Sequence, residues 1–404
     1  MALDREIPAA FPAGAAADAT RGEAKAARPL SPVLFAGLAV GSIGGPLALL
    51  SMLPGTVGDG VDSAGLVVVL SLLVFAAPLA IWWLYSERVV SPGGLSAFVA
   101  AAAGRRAALA HGWIWAIAYF LYLPYTVTYV VYDILPPVFP GIGPYRSTLE
   151  LVLPIVLVLI VLAPVRLVLI GVAALAASQL VALPVLAGVS FAHVPSVSFA
   201  GTPTLNATGR GAGNAALLYV CASLPLYVGA ETRGRARTVR RVLPAAVAVV
   251  GAMFLIAAIP LASVPETLRN ADVPGAAIAQ AYSGRALAVI VGALTAASIL
   301  TLIVAEYLAL GRLIHWLHGF PLRTTLAWIA VPFVIADAIS LVNPTSFYTD
   351  LLKPSLVALF VSQLLVFAVF PRFRRGPLAY ALAVPAVALA AWGVYGLFWS
   401  SVST

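Results

Sequence analysis

Long apolar runs alternate with short polar stretches along the chain after residue 30. The runs are 17 to 28 residues long, and a helix of about 20 residues crosses the hydrocarbon core of a bilayer. The pattern predicts eleven membrane spans, numbered here in chain order: 32–54, 64–85, 108–135, 148–164, 166–190, 213–230, 242–263, 284–311, 324–342, 351–370 and 377–399. Residues 1–30 are more polar and are predicted to form an N-terminal tail.

The first run is interrupted in its middle by residues that form helices poorly. Residues 41–46 read Gly-Ser-Ile-Gly-Gly-Pro, and glycine and proline both disfavour a continuous helix. Backbone at membrane depth leaves the helix only where it is buried in protein or lines a water-filled cavity. Small residues also serve close packing between helices, so this stretch alone has two interpretations.

The sixth run contains a second interruption, at residues 221–225, which read Cys-Ala-Ser-Leu-Pro. Transporters built from two inverted halves carry broken helices in corresponding positions, and the substrate binds between them. Two interruptions, in the first and sixth of eleven spans, therefore favour a solute-binding site over simple close packing.

The composition places the chain among polytopic membrane proteins, because 62% of its residues are hydrophobic, 9% are charged and the mean hydropathy is +1.02. The net charge of +8 is concentrated in alternate loops, since eighteen of the 23 lysines and arginines fall on the side of the N-terminus. Such a bias predicts a cytoplasmic N-terminus in the cell membrane. The same bias accounts for the positive net charge, so nucleic-acid binding is not needed to explain it. Membrane lipid is the partner that remains. The single cysteine excludes an internal disulfide.

Three motifs resemble those of the amino acid–polyamine–organocation transporters. Span 2 ends in Tyr85-Ser86-Glu87, and residues 91–99 (Ser-Pro-Gly-Gly-Leu-Ser-Ala-Phe-Val) lead into a tryptophan-bearing third span. These are similar to the family's Tyr-Ala-Glu and Pro-x-Gly-Gly-x-Tyr-x-Tyr-Val sequences. Residues 231–241 (Glu-Thr-Arg-Gly-Arg-Ala-Arg-Thr-Val-Arg-Arg) resemble the run that follows span 6 in that family. The third motif is the glycine-rich interruption of span 1.

The resemblance implies an all-α, leucine-transporter-like fold of two inverted five-helix repeats with broken spans 1 and 6. The repeats would cover residues 31–191 and 192–370, and residues 371–404 would add one further C-terminal helix. The family moves amino acids or related amines, often driven by protons or by the exchange of another amino acid. Two positions depart from its pattern, because Ser223 replaces an acidic residue in span 6 and Gln179 lies near the place of a lysine in span 5.

A bound amino acid brings a carboxylate and an ammonium group into a site with little water, and each requires a partner. Free N–H groups at the start of a half-helix suit the carboxylate, and free carbonyls suit the ammonium. We predict that the substrate is held by Ser42, Ile43, Gly44, Gly45, Val220, Cys221 and Ser223, with Tyr122 of span 3 in the pocket wall. The absence of a carboxylate at either interruption favours neutral amino acids over polyamines.

Ionisable residues inside spans are costly and mark candidate functional groups. Glu306 is predicted to form an inner gate with Arg28 or to carry a proton, with an interfacial ion pair as the alternative. Asp337 and Lys353 are predicted to form a structural ion pair, with Asp350 as a rival partner for Lys353. The histidines show no metal-binding spacing, so neither a metal nor a cofactor is expected.

The resulting prediction is a secondary transporter of neutral amino acids that works by alternating access. A polyamine or cationic amino acid transporter of the same fold is the alternative, and it gains if Glu306 or Asp337 faces the central cavity. A channel or a non-transporting sensor would share the two interruptions. A membrane-embedded enzyme is disfavoured, because no two acidic residues are spaced to meet inside the spans for metal or acid–base chemistry.

Overall fold

Almost every residue of the computed structural model, which describes residues 29–197, 199–202 and 204–399, belongs to a helix or a short connection. The helices are α1 (Pro32–Ser42), α2 (Gly45–Val57), α3 (Ala64–Tyr85), α4 (Gly94–Ala103), α5 (Arg105–Tyr129), α6 (Leu135–Val138), α7 (Arg146–Leu162), α8 (Val165–His193), α9 (Leu205–Leu217), α10 (Arg235–Leu261), α11 (Glu266–Arg269), α12 (Pro274–Ser283), α13 (Arg285–His318), α14 (Leu322–Ser340), α15 (Pro344–Phe373) and α16 (Pro377–Trp399).

The eleven predicted spans are all present as helical segments. Span 1 is α1 and α2, and span 6 is α9 followed by a 3₁₀ helix over Leu218–Tyr227. Span 3 is α5 continued by a π-helical turn, Val130–Ile134, and α6. Spans 2, 4, 5, 7, 8, 9, 10 and 11 are α3, α7, α8, α10, α13, α14, α15 and α16. Nine stretches of the described residues are long and apolar enough to cross a membrane, and the first contains both span 1 and span 2.

Several spans are longer than their apolar runs. Span 6 begins at Leu205 rather than near residue 213, span 8 continues to His318, and span 10 begins at Pro344. The added turns carry polar residues, which hydropathy excludes from a span although they fit a helix that extends beyond the hydrocarbon core. The extension of span 8 changes the depth at which Glu306 lies.

Both predicted interruptions are real breaks in α-helical geometry. Gly44 and Gly45 have φ angles of +92° and +70°, a left-handed conformation that only glycine adopts at little cost. In span 6 the α helix gives way to a 3₁₀ helix that contains Pro225. Proline has no N–H to donate to the carbonyl four residues earlier, so the Cys221 carbonyl loses its partner in an α helix.

The broken spans lie at the centre of the bundle. Spans 5, 6 and 8 pack around the broken span 1, and span 3 packs on span 8. Span 10 packs between spans 3 and 11. The outer surface carries exposed apolar side chains such as Leu73, Ile117, Leu159 and Val384, which suits contact with lipid. We call the side of the bundle that holds residues 29–31 the N-terminal side, and the opposite side the far side.

Candidate functional site

The break in span 1 is anchored to spans 5 and 8. The Ser298 hydroxyl donates hydrogen bonds to the Gly44 carbonyl and, over 2.9 Å, to Gln179 Oε1. A Cβ atom on Gly45 would lie 2.8 Å from Gln179 Cδ, so any other residue at this position would displace the buried Gln179 side chain. The break is therefore held by a neutral hydrogen bond from span 8, and Gln179 of span 5 contacts the same serine.

A cavity of about 610 Å³ begins at this break. Its wall is formed by both broken spans and by spans 3, 8, 10 and 11. The lining includes Ile43, Gly44, Ala48, Met52, Thr56, Tyr119, Tyr122, Tyr125, Tyr129, Asn214, Val220, Cys221, Leu302, Glu306, Leu356, Phe360 and Trp392. Because Thr56 lies in the last turn of α2 and Trp392 in the second half of span 11, the cavity extends from the break towards the far side.

Five of the predicted substrate-binding residues line this cavity: Ile43, Gly44, Val220, Cys221 and Tyr122. The structure places the other three elsewhere. The buried hydroxyls of Ser42 and Ser223 donate to the carbonyls of Ala39 and Val220 in their own helices, over 3.1 and 2.9 Å. Gly45 faces Gln179 and Ser298 on the opposite side of the broken span.

Glu306 is the acidic side chain among the described residues that line the cavity. It is completely buried, and neither carboxyl oxygen has a hydrogen-bond partner in the described part of the chain. Tyr119, Tyr122 and Cys221 are close enough to interact with it electrostatically. A buried carboxylate costs several kcal/mol unless a positive charge or a proton meets it, so this wall of the cavity favours a cation.

The predicted position of Glu306 at an inner gate is wrong. Span 8 continues for twelve residues beyond Glu306, to His318, which is about 18 Å along the helix axis. The residue therefore lies at cavity depth and not at an inner gate. Its predicted gating partner, Arg28, lies outside the described residues.

A different set of contacts lies between the cavity and the N-terminal side. Arg312, also on span 8, forms a bidentate ion pair with Glu231, with N–O distances of 2.6 and 3.0 Å. The arginine side chain is only 2% exposed, whereas the glutamate is 35% exposed. Beside this pair, Leu30 N–H donates to the Glu231 carbonyl and Arg233 N–H donates to the Leu30 carbonyl, each over 2.9 Å. These contacts join the start of span 1 to the end of span 6.

A second chain of hydrogen bonds joins the far halves of both broken spans to span 11. Trp392 Nε1–H donates to Asn214 Oδ1 over 2.9 Å. The Asn214 amide in turn donates to the Thr56 carbonyl over 3.0 Å. Span 11 is therefore part of the cavity wall, which the sequence analysis did not predict. The sequence signals for this contact were Asn214, a polar residue in an apolar run, and Trp392, a large residue among small ones.

The predicted ion pair between Asp337 and Lys353 requires correction. Both Asp337 oxygens are buried with no hydrogen-bond partner in the residues that the structure describes. The Lys353 ammonium lies 4.9 Å from the centre of the Phe398 ring on span 11. Span 9 packs chiefly on span 4, whereas span 10 packs on spans 3 and 11, so the two side chains are directed to different neighbours.

Comparison with known proteins identifies the fold. No family model and no curated protein matches the sequence. The structure is similar to that of MhsT in complex with L-phenylalanine, with a TM-score of 0.59 and 14% identity, over 90% of this chain and 98% of that one. The chain has the leucine-transporter fold. It is also similar to the manganese transporter of Eremococcus coleocola, with a TM-score of 0.53 and 11% identity, over 90% of this chain and 87% of that one.

Proposed function

We propose that this protein is a secondary active transporter of neutral amino acids that works by alternating access and belongs with the amino acid–polyamine–organocation transporters. The observation that carries the proposal is the cavity at the break of span 1, which Glu306 lines, with the Glu231–Arg312 ion pair on its N-terminal side. Its volume lies within the range of about 300–1,000 Å³ that small-molecule sites occupy.

The polar groups of the cavity match the two ends of an amino acid. The first turn of α2 provides backbone N–H groups without partners in the helix, together with the positive end of the helix dipole. Gly44 and Ala48, on this turn, line the cavity. A substrate carboxylate is proposed to bind there and the ammonium near Glu306. The apolar side chains of Met52, Leu302 and Leu356 then surround the rest of the substrate.

Charge balance supports a coupled proton. A neutral amino acid adds no net charge to the cavity, so even with its ammonium near Glu306 the occupied cavity keeps the one negative charge of that carboxylate. A proton on Glu306 removes this net charge and moves with the substrate, which would couple transport to the proton gradient. MhsT, whose fold is similar, is itself known with L-phenylalanine bound.

A second candidate, transport of a cationic amino acid or an organic amine, is favoured by the same residue. Because Glu306 faces the cavity, a substrate with one net positive charge would neutralise it without a proton. Polyamines carry several ammonium groups and fit less well, since a single carboxyl offers one counter-charge.

Cys221 provides the first test, since it is the only cysteine of the chain and it lines the cavity half-buried. We expect a few neutral amino acids to slow its labelling by a small thiol reagent and to raise the melting temperature of the purified protein. Protection by cationic amino acids or amines alone would replace the lead proposal by the second candidate. Protection by no compound would reject both.

Replacing Glu306 by glutamine tests the proton. The variant keeps the size of the side chain but removes the group that titrates, so uptake into liposomes should lose its dependence on an imposed pH gradient. Asp350→Asn is the matched control, because Asp350 is exposed and does not line the cavity. Unaltered pH dependence in the Glu306 variant would show that Glu306 is not the coupling group.

The proposal places the N-terminal side of the bundle in the cytoplasm and the protein in the cell membrane. It also keeps residues 31–191 and 192–370 as the two inverted repeats, with residues 371–404 as the added segment. Accessibility of single cysteines placed at exposed loop positions, measured in intact cells, tests this orientation. Labelling of a cysteine at Arg375 from outside the cell would reverse it.

A further inference from the structure

Two further carboxyl groups are buried inside the bundle, outside the cavity. Glu150 lies on the first turns of span 4 and Asp337 near the far end of span 9, and both are 0% exposed. They interact electrostatically with each other, and the Ser340 hydroxyl contacts both residues. This hydroxyl donates to Glu150 Oε1 over 2.6 Å and to the Asp337 carbonyl over 2.7 Å.

The hydrogen bonds satisfy only one of the four carboxyl oxygens. Glu150 Oε1 accepts from Ser340 and also, over 2.5 Å, from the Thr128 hydroxyl on span 3. Glu150 Oε2 and both Asp337 oxygens are buried without a hydrogen-bond partner among the described residues. Buried polar atoms nearly always have a partner in native proteins, so three neighbouring unsatisfied oxygens indicate a ligand.

That ligand must be positively charged, because two neighbouring buried carboxylates repel each other and each loses its hydration. Among the residues that the structure describes, no basic group forms an ion pair with either carboxyl. The Arg146 guanidinium, on the far side, lies 5.7 Å from the centre of the Tyr132 ring. On span 8, the Tyr307 hydroxyl donates to the Leu326 carbonyl over 2.7 Å, and on span 10 Lys353 lies against Phe398.

We propose that Glu150 and Asp337 form a proton-binding carboxyl pair at the junction of spans 3, 4 and 9. A protonated carboxyl has an O–H donor, and one bound proton removes one of the two buried negative charges. Ser340, which contacts both residues, already joins span 4 to span 9 at this point. Thr128 extends this connection to span 3, between the cavity residues Tyr125 and Tyr129.

Infrared spectroscopy of the purified full-length protein tests the pair directly. Protonated carboxyl groups absorb at higher frequency than carboxylates, and their band shifts in heavy water. Measurements use Glu306→Gln as the background, so that Glu306 makes no contribution. We expect the protonated band to persist at neutral pH in this background and to weaken or disappear when either Asp337→Asn or Glu150→Gln is added.

Each remaining outcome decides against the proposal. A band that neither substitution alters would show that the pair binds no proton. The background protein could instead lack the protonated band, with a melting temperature that sodium or potassium chloride raises and choline chloride does not. This result would show that the pair binds a metal cation and not a proton. Should the double variants fail to fold, Ser340→Ala in the same background is the second variant. It removes a donor to Glu150, so it should shift the band in frequency without abolishing it, and an unshifted band would contradict the pair.

Discussion

Replacing Glu231 by glutamine should open the cavity towards the N-terminal side. The substitution keeps the shape of the side chain but removes the charge that pairs with Arg312 over 2.6 and 3.0 Å. It leaves the backbone hydrogen bonds between Leu30 and the Glu231–Arg233 segment in place. Only the ion pair is therefore changed at the point where spans 1, 6 and 8 meet.

The magnitude follows from the environment of the two partners. Removing one partner of a fully buried pair costs 3–5 kcal/mol, and exposed pairs contribute about 0.2–1 kcal/mol. Arg312 is 2% exposed and Glu231 is 35% exposed, so we place the effect at about 2 kcal/mol, between these limits. When the cavity opens, water reaches both charges and the substitution has little effect on that arrangement. The ratio of closed to open protein should therefore fall roughly 30-fold.

Labelling of Cys221 measures this ratio without any further substitution. A charged thiol reagent that cannot cross the membrane is applied to inside-out and right-side-out vesicles, and the labelling rate is compared between the two. In the Glu231 variant the rate from the N-terminal side should rise about 30-fold in step with the open population, while the rate from the far side should not rise.

Arg240→Gln is the matched control. Arg240 pairs with Glu87 over 2.8 Å on the same side of the bundle, but the two side chains are 30% and 33% exposed. Its loss should change the labelling rate less than about fivefold. If Glu231→Gln behaves like this control while its melting curve shows a folded protein, the inference that the Glu231–Arg312 pair holds the cavity closed is refuted.

Two further substitutions test the walls of the cavity. Gly45→Ala places a Cβ atom 2.8 Å from Gln179 Cδ, whereas the Cβ atom of Gly44→Ala would meet nothing closer than 4.0 Å. The Gly45 variant should therefore be less stable than the Gly44 variant by about 1–3 kcal/mol. Thermal melting measures the difference. Trp392→Phe removes the donor to Asn214 Oδ1 and should cost about 1 kcal/mol, with faster labelling of Cys221 from the far side.

Each of these substitutions has a result that contradicts its reasoning. Equal melting temperatures for the two glycine variants would show that the break does not depend on close approach to span 5. Trp328→Phe changes a tryptophan that is 74% exposed on the outer surface and should leave both stability and labelling unchanged. If Trp392→Phe gives the same stability and labelling rate as Trp328→Phe, the hydrogen bond from span 11 does not support the cavity wall.

The positions of the spans and of their breaks were predictable from the sequence, because both depend on local properties. Apolar runs of membrane-crossing length specify helices, and the eleven predicted spans are all present. The glycines of residues 41–46 specify a break through backbone geometry alone, since Gly44 and Gly45 adopt positive φ angles. Five of the eight predicted substrate-binding residues line the cavity because they lie at or directly opposite these breaks.

The sequence did not indicate which face of each helix points to which neighbour. The orientation of the helices nevertheless decides which groups meet in the site. A soluble helix shows its buried face by an apolar stripe, but a membrane span is apolar all round. The sequence therefore contained no signal that turns Asp337 towards Glu150 rather than Lys353, or Gly45 towards Gln179 rather than the cavity. Depth was equally hidden, because the polar end of span 8 moved Glu306 from a predicted gate to the cavity wall.

The sequence by itself thus determined that the described part of the chain forms eleven apolar helical spans with breaks in the first and sixth, since hydropathy and glycine or proline geometry act within a few residues. Only the tertiary structure decided which charged groups meet. Glu306 at the cavity, Glu231 with Arg312, and Glu150 with Asp337 each join or face segments that are distant in the chain. Their pairing depends on how whole helices rotate and pack, and packing is a property of the assembled bundle.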